Sequence, residues 1–380
     1  MVEEFKKEDT EEKSEKKKMD SGMKWVIFAD VLGAIVIALL VWANIIEKNQ
    51  MKSANSKATQ VEQTASVPSN ASTANPDTEK KTLNKTYDYD LKLTPENCDN
   101  VSGTVDIVLI TDANYMDFTR VAINSAKETK CPLSRYNFNI MTVDVSSSDV
   151  EALQALASDD VTIRVIPQQE ADLFYIRDTH VSKASLLKYY IPNALPELDK
   201  VLYIDSDVLV LHDLNKLYQT DVSQVYLAAV KDPSWFFENT HVIELNLEKR
   251  GFYFNSGVML MNLKKIREDN IVEALETFTN NNFRTYMDQD ALNVVVGDKV
   301  LLLPFEDNAI NFFFEHVDMS TMNEFYGRNW QTYDDVFAPV TILHFASSKK
   351  PLGKMAPTND FFHMLQRLWY KYYTPLPPLD

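Results

Sequence analysis

The run Lys200-Val-Leu-Tyr-Ile-Asp-Ser-Asp207 constrains this chain more than any other stretch. Val201, Leu202, Tyr203 and Ile204 are strand formers, and two carboxylates one residue apart follow them. In extended backbone, residues i and i+2 point to the same face. Asp205 and Asp207 can therefore converge on one ion at the carboxyl end of a buried strand, where α/β sheets hold their ligands. Oxygen donors favour a hard cation such as Mg²⁺ or Mn²⁺, which would in turn hold a diphosphate. Asp-x-Asp alone is common: Asp88/Asp90 and Asp288/Asp290 repeat it, and a solvated turn explains most such pairs. The apolar approach to Asp205 sets this pair apart.

Composition narrows the classes. The chain has 380 residues, 45% of them hydrophobic, enough for one large domain with appendages. Its formal net charge of −17 argues against a nucleic-acid partner, which selects a basic face. A diphosphate on so acidic a protein needs a metal ion or local lysines as counter-charge. There is no Gly-x-Gly-x-x-Gly or Walker-type loop and no zinc-ligand spacing. The two cysteines, Cys98 and Cys131, are compatible with a bridge or with two inert thiols.

Residues 1–24 are dense in Lys and Glu and read as a disordered tail. Residues 25–46, from Trp25 to Ile46, form an apolar run of membrane-spanning length, interrupted chiefly by Asp30. No small-residue cleavage site closes it, so the expectation is an uncleaved single-pass anchor. The lysines ahead of the run favour a cytoplasmic N-terminus and an extracytoplasmic or lumenal C-terminal domain. Residues 47–103 read as a polar stalk, with glycosylation acceptor patterns at Asn70, Asn84 and Asn100.

From Thr104 onward strands and helices alternate. The pattern predicts strands over 104–111, 136–145, 161–167, 201–204, 225–230, 257–261 and 340–345. It predicts helices over 116–127, 150–157, 182–190, 263–280 and 288–296. Such alternation implies an α/β sheet, mostly parallel and flanked by helices. The aromatic, partly basic stretch within 352–380 reads as a closing helix of the core, the alternative being a membrane-surface contact.

Four further segments carry candidate site residues. Asp112 and Asn114 follow the first strand directly, at the edge where a nucleotide would bind, although either would also serve as a helix N-cap. Asn255 and Gly257 lie in a small polar turn leading into a strand, where glycine permits close approach of a ligand or backbone. Asp288, Gln289 and Asp290 open a predicted helix and can grip sugar hydroxyls or simply complement the helix dipole. His344 ends a late strand and suits the third ligand position of Mn²⁺, with Lys350 beyond it to neutralise phosphate; a hydrogen-bonded core histidine is the plainer reading.

Taken in order, Thr111-Asp-Ala-Asn-Tyr115, the run from Leu198 to Asp207, Phe254-Asn-Ser-Gly-Val258, Asp288-Gln-Asp290 and the element from His344 to Pro351 resemble glycosyltransferase family 8 over roughly 105–351. The resemblance implies a GT-A fold over 104–351 and a retaining, Mn²⁺-dependent transfer of a hexose from a UDP-sugar. By motif position it implies Asp205, Asp207 and His344 as metal ligands, and Asp112 and Asn114 as uridine and ribose contacts. Lys350 would contact the diphosphate, and Asn255, Asp288 and Gln289 the donor sugar. Gln289 would lie close to the reacting carbon, with Asp290 the residual candidate for a covalent nucleophile.

Three positions depart from the family pattern. Lys188 stands where arginine is usual, Ser347 where glycine is, and Leu352 where tryptophan is. The first keeps the charge but loses the bidentate fork. The expectation is thus a membrane-anchored hexosyltransferase acting on a glycan or glycolipid. The rival is a tethered, non-catalytic carbohydrate- or nucleotide-sugar-binding protein of the same fold.

Overall fold

A computed structural model describes residues 96–168, 183–233, 239–281, 286–311, 314, 317–346, 350–352 and 360–373. The expected tail, the span at 25–46 and most of the stalk lie outside these residues. Among the described residues, no helix is long and apolar enough to cross a membrane.

The chain opens with β1 (Ser102–Asp112), α1 (Met116–Thr129), β2 (Leu133–Val143), α2 (Ser147–Gln154) and β3 (Val161–Pro167). β1 pairs in parallel with β2, and β2 with β3. Side chains along β1 alternate between two cores. Val105, Ile107 and Leu109 pack with Ala122, Ile123 and Ala126 of α1 on one face. Val108 and Ile110 pack with Leu186, Tyr189 and Ala291 on the other. Both faces are thus apolar and covered, the condition for a central, largely parallel sheet.

The predicted helix at 182–190 is a 3-10 helix, Lys183–Tyr190, in which Leu186 to Tyr189 are all buried. β4 (Lys200–Ile204) then joins β1 in parallel. After β5 (Val208–Val210) and β6 (Leu227–Lys231) come α3 (Asn239–Glu244) and β7 (Phe254–Asn262). β7 runs antiparallel to both β4 and β6. It starts at Phe254, three residues before the predicted strand, because Asn255 and Ser256 are buried and paired rather than turned outward. The predicted helix over 263–280 is two, α4 (Leu263–Glu268) and α5 (Ile271–Asn281). Asn270 breaks it with φ of 54°, a left-handed conformation that asparagine tolerates.

α6 (Met287–Val296) and a strand not foreseen, β8 (Val300–Leu302), complete the seven-stranded order β3-β2-β1-β4-β7-β6-β8. A second sheet, also unforeseen, has the order β5-β10-β9, with β9 at Ala309–Ile310 and β10 at Ile342–His344. α7 (Met319–Tyr326), α8 (Tyr333–Phe337) and α9 (Asp360–Tyr372) pack on this smaller sheet. Leu365 and Trp369 of α9 are fully buried, and the Trp369 ring lies 5.6 Å from that of Phe118. The aromatic C-terminal segment is therefore a closing helix of the core.

Cys98 and Cys131 form a disulfide across a separation of 33 residues. Beside it, Glu96 accepts from the Asp213 backbone N–H (3.2 Å) and Asp213 accepts from Cys131 N–H (2.7 Å). The folded unit thus begins before the expected boundary at 104. Closing a loop of this length removes unfolded-state entropy worth roughly 3–4 kcal/mol. The double replacement Cys98→Ser/Cys131→Ser should lower stability by up to that amount. Thermal unfolding with and without reductant checks it: reductant should shift the wild type and leave the double variant unmoved.

Candidate active site

The site forms where the two sheets meet. β4 ends at Ile204, and the corner Asp205-Ser206-Asp207 carries the chain straight into β5 of the smaller sheet. Asp205 N–H donates to the Gly257 carbonyl (2.7 Å), and Phe345 N–H donates to the Asp207 carbonyl (3.0 Å). Antiparallel pairing of β10 with β5 sets His344 opposite Val208. Backbone register alone therefore delivers one imidazole to two carboxylates 137 or more residues earlier in the chain. His344 Nε2 lies 3.3 Å from Asp207 Oδ1 and 3.7 Å from Asp205 Oδ2. One donor atom from each of the three falls within 4.8 Å of the others.

Gly257 makes this convergence sterically allowed. A Cβ there would collide with His344 Cε1 and lie 2.7 Å from Asp205 Oδ2. The close approach anticipated from the sequence is that of the imidazole. Tyr203, whose hydroxyl donates to Asp205 Oδ1, fixes the first carboxylate. Asn308 Oδ1, 3.0 Å from His344 Nδ1, fixes the imidazole. Neither residue was singled out in the sequence. Tyr203 looks like one more apolar strand position, and Asn308 is 36 residues from His344 with only the β9–β10 register to connect them.

Two lysines face the acids. Lys350 Nζ donates to Asp207 Oδ2 and to the Phe345 carbonyl (2.6 Å). Lys188 Nζ donates to Asp288 (2.8 Å) and lies 3.2 Å from Asp205 Oδ1. Burial opposes charge on Asp207, yet Lys350 and His344 outweigh it and hold the carboxyl well below the usual range. Burial likewise opposes charge on Lys188, but Asp205 and Asp288 hold the ammonium above its ordinary value. Burial and Asp207 act in the same opposed senses on Lys350, with the same upward result. Asp205, Asp207 and Asp288 thus bring three acidic side chains against two basic ones. That surplus, an oxygen-rich donor set and a third imidazole donor fit a hard or borderline divalent cation.

Next to the ions lies an amide cluster. Gln289 Oε1 accepts from Ser256 N–H (2.9 Å) and from Asn255 Nδ2 (3.1 Å). Asn255 Nδ2 and Gln289 Nε2 both donate to Asp232 Oδ2, at 2.8 and 3.1 Å. Asp232 is a further residue that the sequence did not flag. Asp112, Lys188, Asp205, Asp207, Asn255, Asp288, Gln289, His344 and Lys350 all line a single cavity of about 580 Å³.

Two candidates stand elsewhere. Asn114 is exposed, and Tyr115 lines the cavity beside Asp112, which also caps the following turn. Asp290 is fully buried behind the wall. It accepts from Tyr253 (2.6 Å) and Tyr286 N–H (3.1 Å), and it meets His241 Nε2 at 2.7 Å. The period of α6 explains this: consecutive helical residues point about 100° apart, so Gln289 faces the cavity and Asp290 the core.

Fold and site together define a glycosyltransferase. The model for "Glycosyl transferase family 8" matches residues 106–355, more than half of the chain, and the chain belongs to that family. It is 29% identical to General stress protein A of Bacillus subtilis over 199 residues, covering 50% of this chain and 67% of that one. It is 27% identical to the lipopolysaccharide 1,2-glucosyltransferase of Escherichia coli over 263 residues, covering 68% and 75%. Against the streptococcal glycosyltransferases GlyB, GlyE and GlyF the chain spans less than half of their length. Its fold matches the crystal structure of the galactosyltransferase LgtC with donor and acceptor sugar analogues, with a TM-score of 0.61 and 23% identity over 72% of this chain and 98% of that one.

Two expected outcomes follow from the geometry. If the three donors hold a divalent cation, Gly257→Ala should weaken its binding at least about tenfold, since the imidazole or the carboxylate must move; calorimetric titration measures it. The second concerns Asp307, whose carboxyl burial and the neighbouring Glu306 push up to about 6. Between roughly pH 4 and 6 the unfolded chain gives up this proton before the folded one, so stability falls as pH rises through that window. Asp307→Asn should therefore add up to about 3 kcal/mol at about pH 7.5 and almost nothing near pH 3, read from denaturant unfolding at both.

Proposed function

We propose that this protein is a retaining hexosyltransferase that moves glucose or galactose from a UDP-sugar to a glycan or glycolipid acceptor. The observation that carries the reading is the meeting of Asp205, Asp207 and His344 in a cavity also lined by Lys188, Lys350, Asp288 and Gln289. The names of the lipopolysaccharide glucosyltransferase and the galactosyltransferase LgtC support the hexose.

In this reading Asp205, Asp207 and His344 hold Mn²⁺, and Mg²⁺ would suit the same oxygens. Bound there, the ion would supply Lewis-acid charge to the donor's two phosphates. Lys350 and Lys188 balance the negative charge that grows on the departing UDP. Asp112, with Tyr115 beside it, contacts the nucleoside, while Asn255, Asp288 and Gln289 orient the sugar. The bond from the anomeric carbon to the phosphate oxygen breaks as the acceptor oxygen bonds from the same face, and the acceptor's proton passes to that phosphate oxygen. Gln289 is a poor nucleophile and Asp290 is engaged by Tyr253 and His241, which favours this front-face course over a covalent one.

Residues 25–46 anchor the chain, with the catalytic domain on the extracytoplasmic or lumenal side. The Cys98–Cys131 bond supports that side, because disulfides persist in oxidising compartments. The same bond favours the second reading, a tethered binding protein, wherever the exported domain meets no UDP-sugar. A C-terminal reporter resolves the side of the membrane. UDP release is measured with UDP-glucose and UDP-galactose, with and without Mn²⁺. Asp207→Asn should lose at least about a hundredfold in kcat/KM, some 2.7 kcal/mol of transition-state stabilisation; equal activity would sink the metal assignment. Donor binding by calorimetry without turnover would favour the binding protein.

A further inference from the structure

We infer that Asn308 is a positioning residue that fixes the tautomer of His344 and ties the metal site to the donor-sugar amides. The inference rests on the proposed metal-dependent reading and concerns a residue outside the recognised motifs. Asn308 is fully buried, in the turn between the short helix at Phe305–Asp307 and β9.

The proton positions follow from one unambiguous donor. A backbone N–H can only donate, so the Asn255 atom 2.9 Å from Gly257 N is the oxygen, Oδ1. Asn308 meets that same oxygen at 2.9 Å, so it must present its amide nitrogen there. Its remaining atom, Oδ1, therefore faces His344 Nδ1 at 3.0 Å and can only accept. The proton of neutral His344 is thus held on Nδ1, which leaves the lone pair of Nε2 pointing at Asp205 and Asp207.

The far end of the network agrees independently. Asn255 Nδ2 faces Asp232 Oδ2 at 2.8 Å and Gln289 Oε1 at 3.1 Å. Ser256 N–H, a second obligate donor, identifies the Gln289 atom as oxygen. Every amide orientation from Gly257 to His344 and from Ser256 to Asp232 is therefore assigned without contradiction. An imidazole locked in the opposite tautomer would place N–H against the ion, and a freely rotating one would lose part of its affinity to ordering.

Asn308→Ala removes both contacts. Asn308→Asp keeps an acceptor for His344 but sets a second acceptor against Asn255 Oδ1. Calorimetric titration with Mn²⁺ alone should show the alanine variant weakened by about 10–100-fold and the aspartate variant within about threefold of wild type or tighter. UDP release at saturating Mn²⁺ should then show the aspartate variant lowered in kcat, because the sugar-side amides have lost their partner. Long-range ¹⁵N–¹H spectra of histidine-labelled, metal-free protein should show His344 as the Nδ1–H tautomer in wild type and in Asn308→Asp, and as a mixture in Asn308→Ala. The histidine spectra need no metal, and Asn308→Asp carries the comparison if the alanine variant does not fold.

Alanine and wild-type proteins with equal Mn²⁺ affinity and equal tautomers would overturn the inference while leaving the transferase reading intact. Loss of Mn²⁺ binding in the aspartate variant as large as in alanine would also overturn it. A wild type that binds no Mn²⁺ would overturn both.

Discussion

Everything in the site depends on the hydrogen-bonded corner at Asp205-Ser206-Asp207. Asp205 N–H is held by the Gly257 carbonyl of the large sheet, while the Asp207 carbonyl is held by Phe345 N–H at the end of the small one. Ser206, between them, donates to the Ile110 carbonyl at 2.8 Å and accepts from Thr119. One tripeptide is thus fixed from three directions by elements far apart in sequence. The two acidic side chains consequently inherit their positions from backbone pairing, which is stiffer than side-chain packing, and a 1 Å error in such a constellation is costly.

Charge is the second constraint. Each ion in the cavity would be expensive alone, because desolvating an unpaired charge costs several kcal/mol. The acids and lysines offset one another in overlapping pairs: Lys188 is shared by Asp205 and Asp288, and Asp207 by Lys350 and His344. The set is stable enough to stay assembled yet left with an acidic surplus. That is the electrostatic condition for admitting a cation and, behind it, an anionic donor.

The large sheet and most of the site were legible in the sequence because their signals are local. Apolar runs of strand length mark β1, β2, β3 and β4, and Asp205, Asp207, Asp288 and Gln289 sit at their ends or at a helix start. What stayed hidden depends on pairing between distant segments. β5, β8 and β9 are two or three residues long, too short for periodicity to register, and the strand expected over 340–345 gave no sign of its partners. Asn308 and Asp232 lie in stretches whose composition says only that a turn or a strand end is near. Asp290 shows the converse: it adjoins Gln289 in sequence, yet one helical step separates a cavity residue from a core one. The disulfide was undecidable from spacing, because the closeness of Cys98 to Cys131 is created by the parallel entry of β1 and β2.

That entry point has a mechanical consequence. The bridge lies at the amino ends of β1 and β2, whereas Asp112 and the acidic corner lie at the opposite, carboxyl edge of the sheet. β1 runs 11 residues between them, roughly 33 Å of nearly inextensible strand at about 3.3 Å per residue. A pull on the preceding chain is therefore borne by the bridged end and spread across the parallel ladder before it reaches the reacting groups. The bridged end and the acidic corner thus stand at opposite ends of β1, and a load entering at the first reaches the second last.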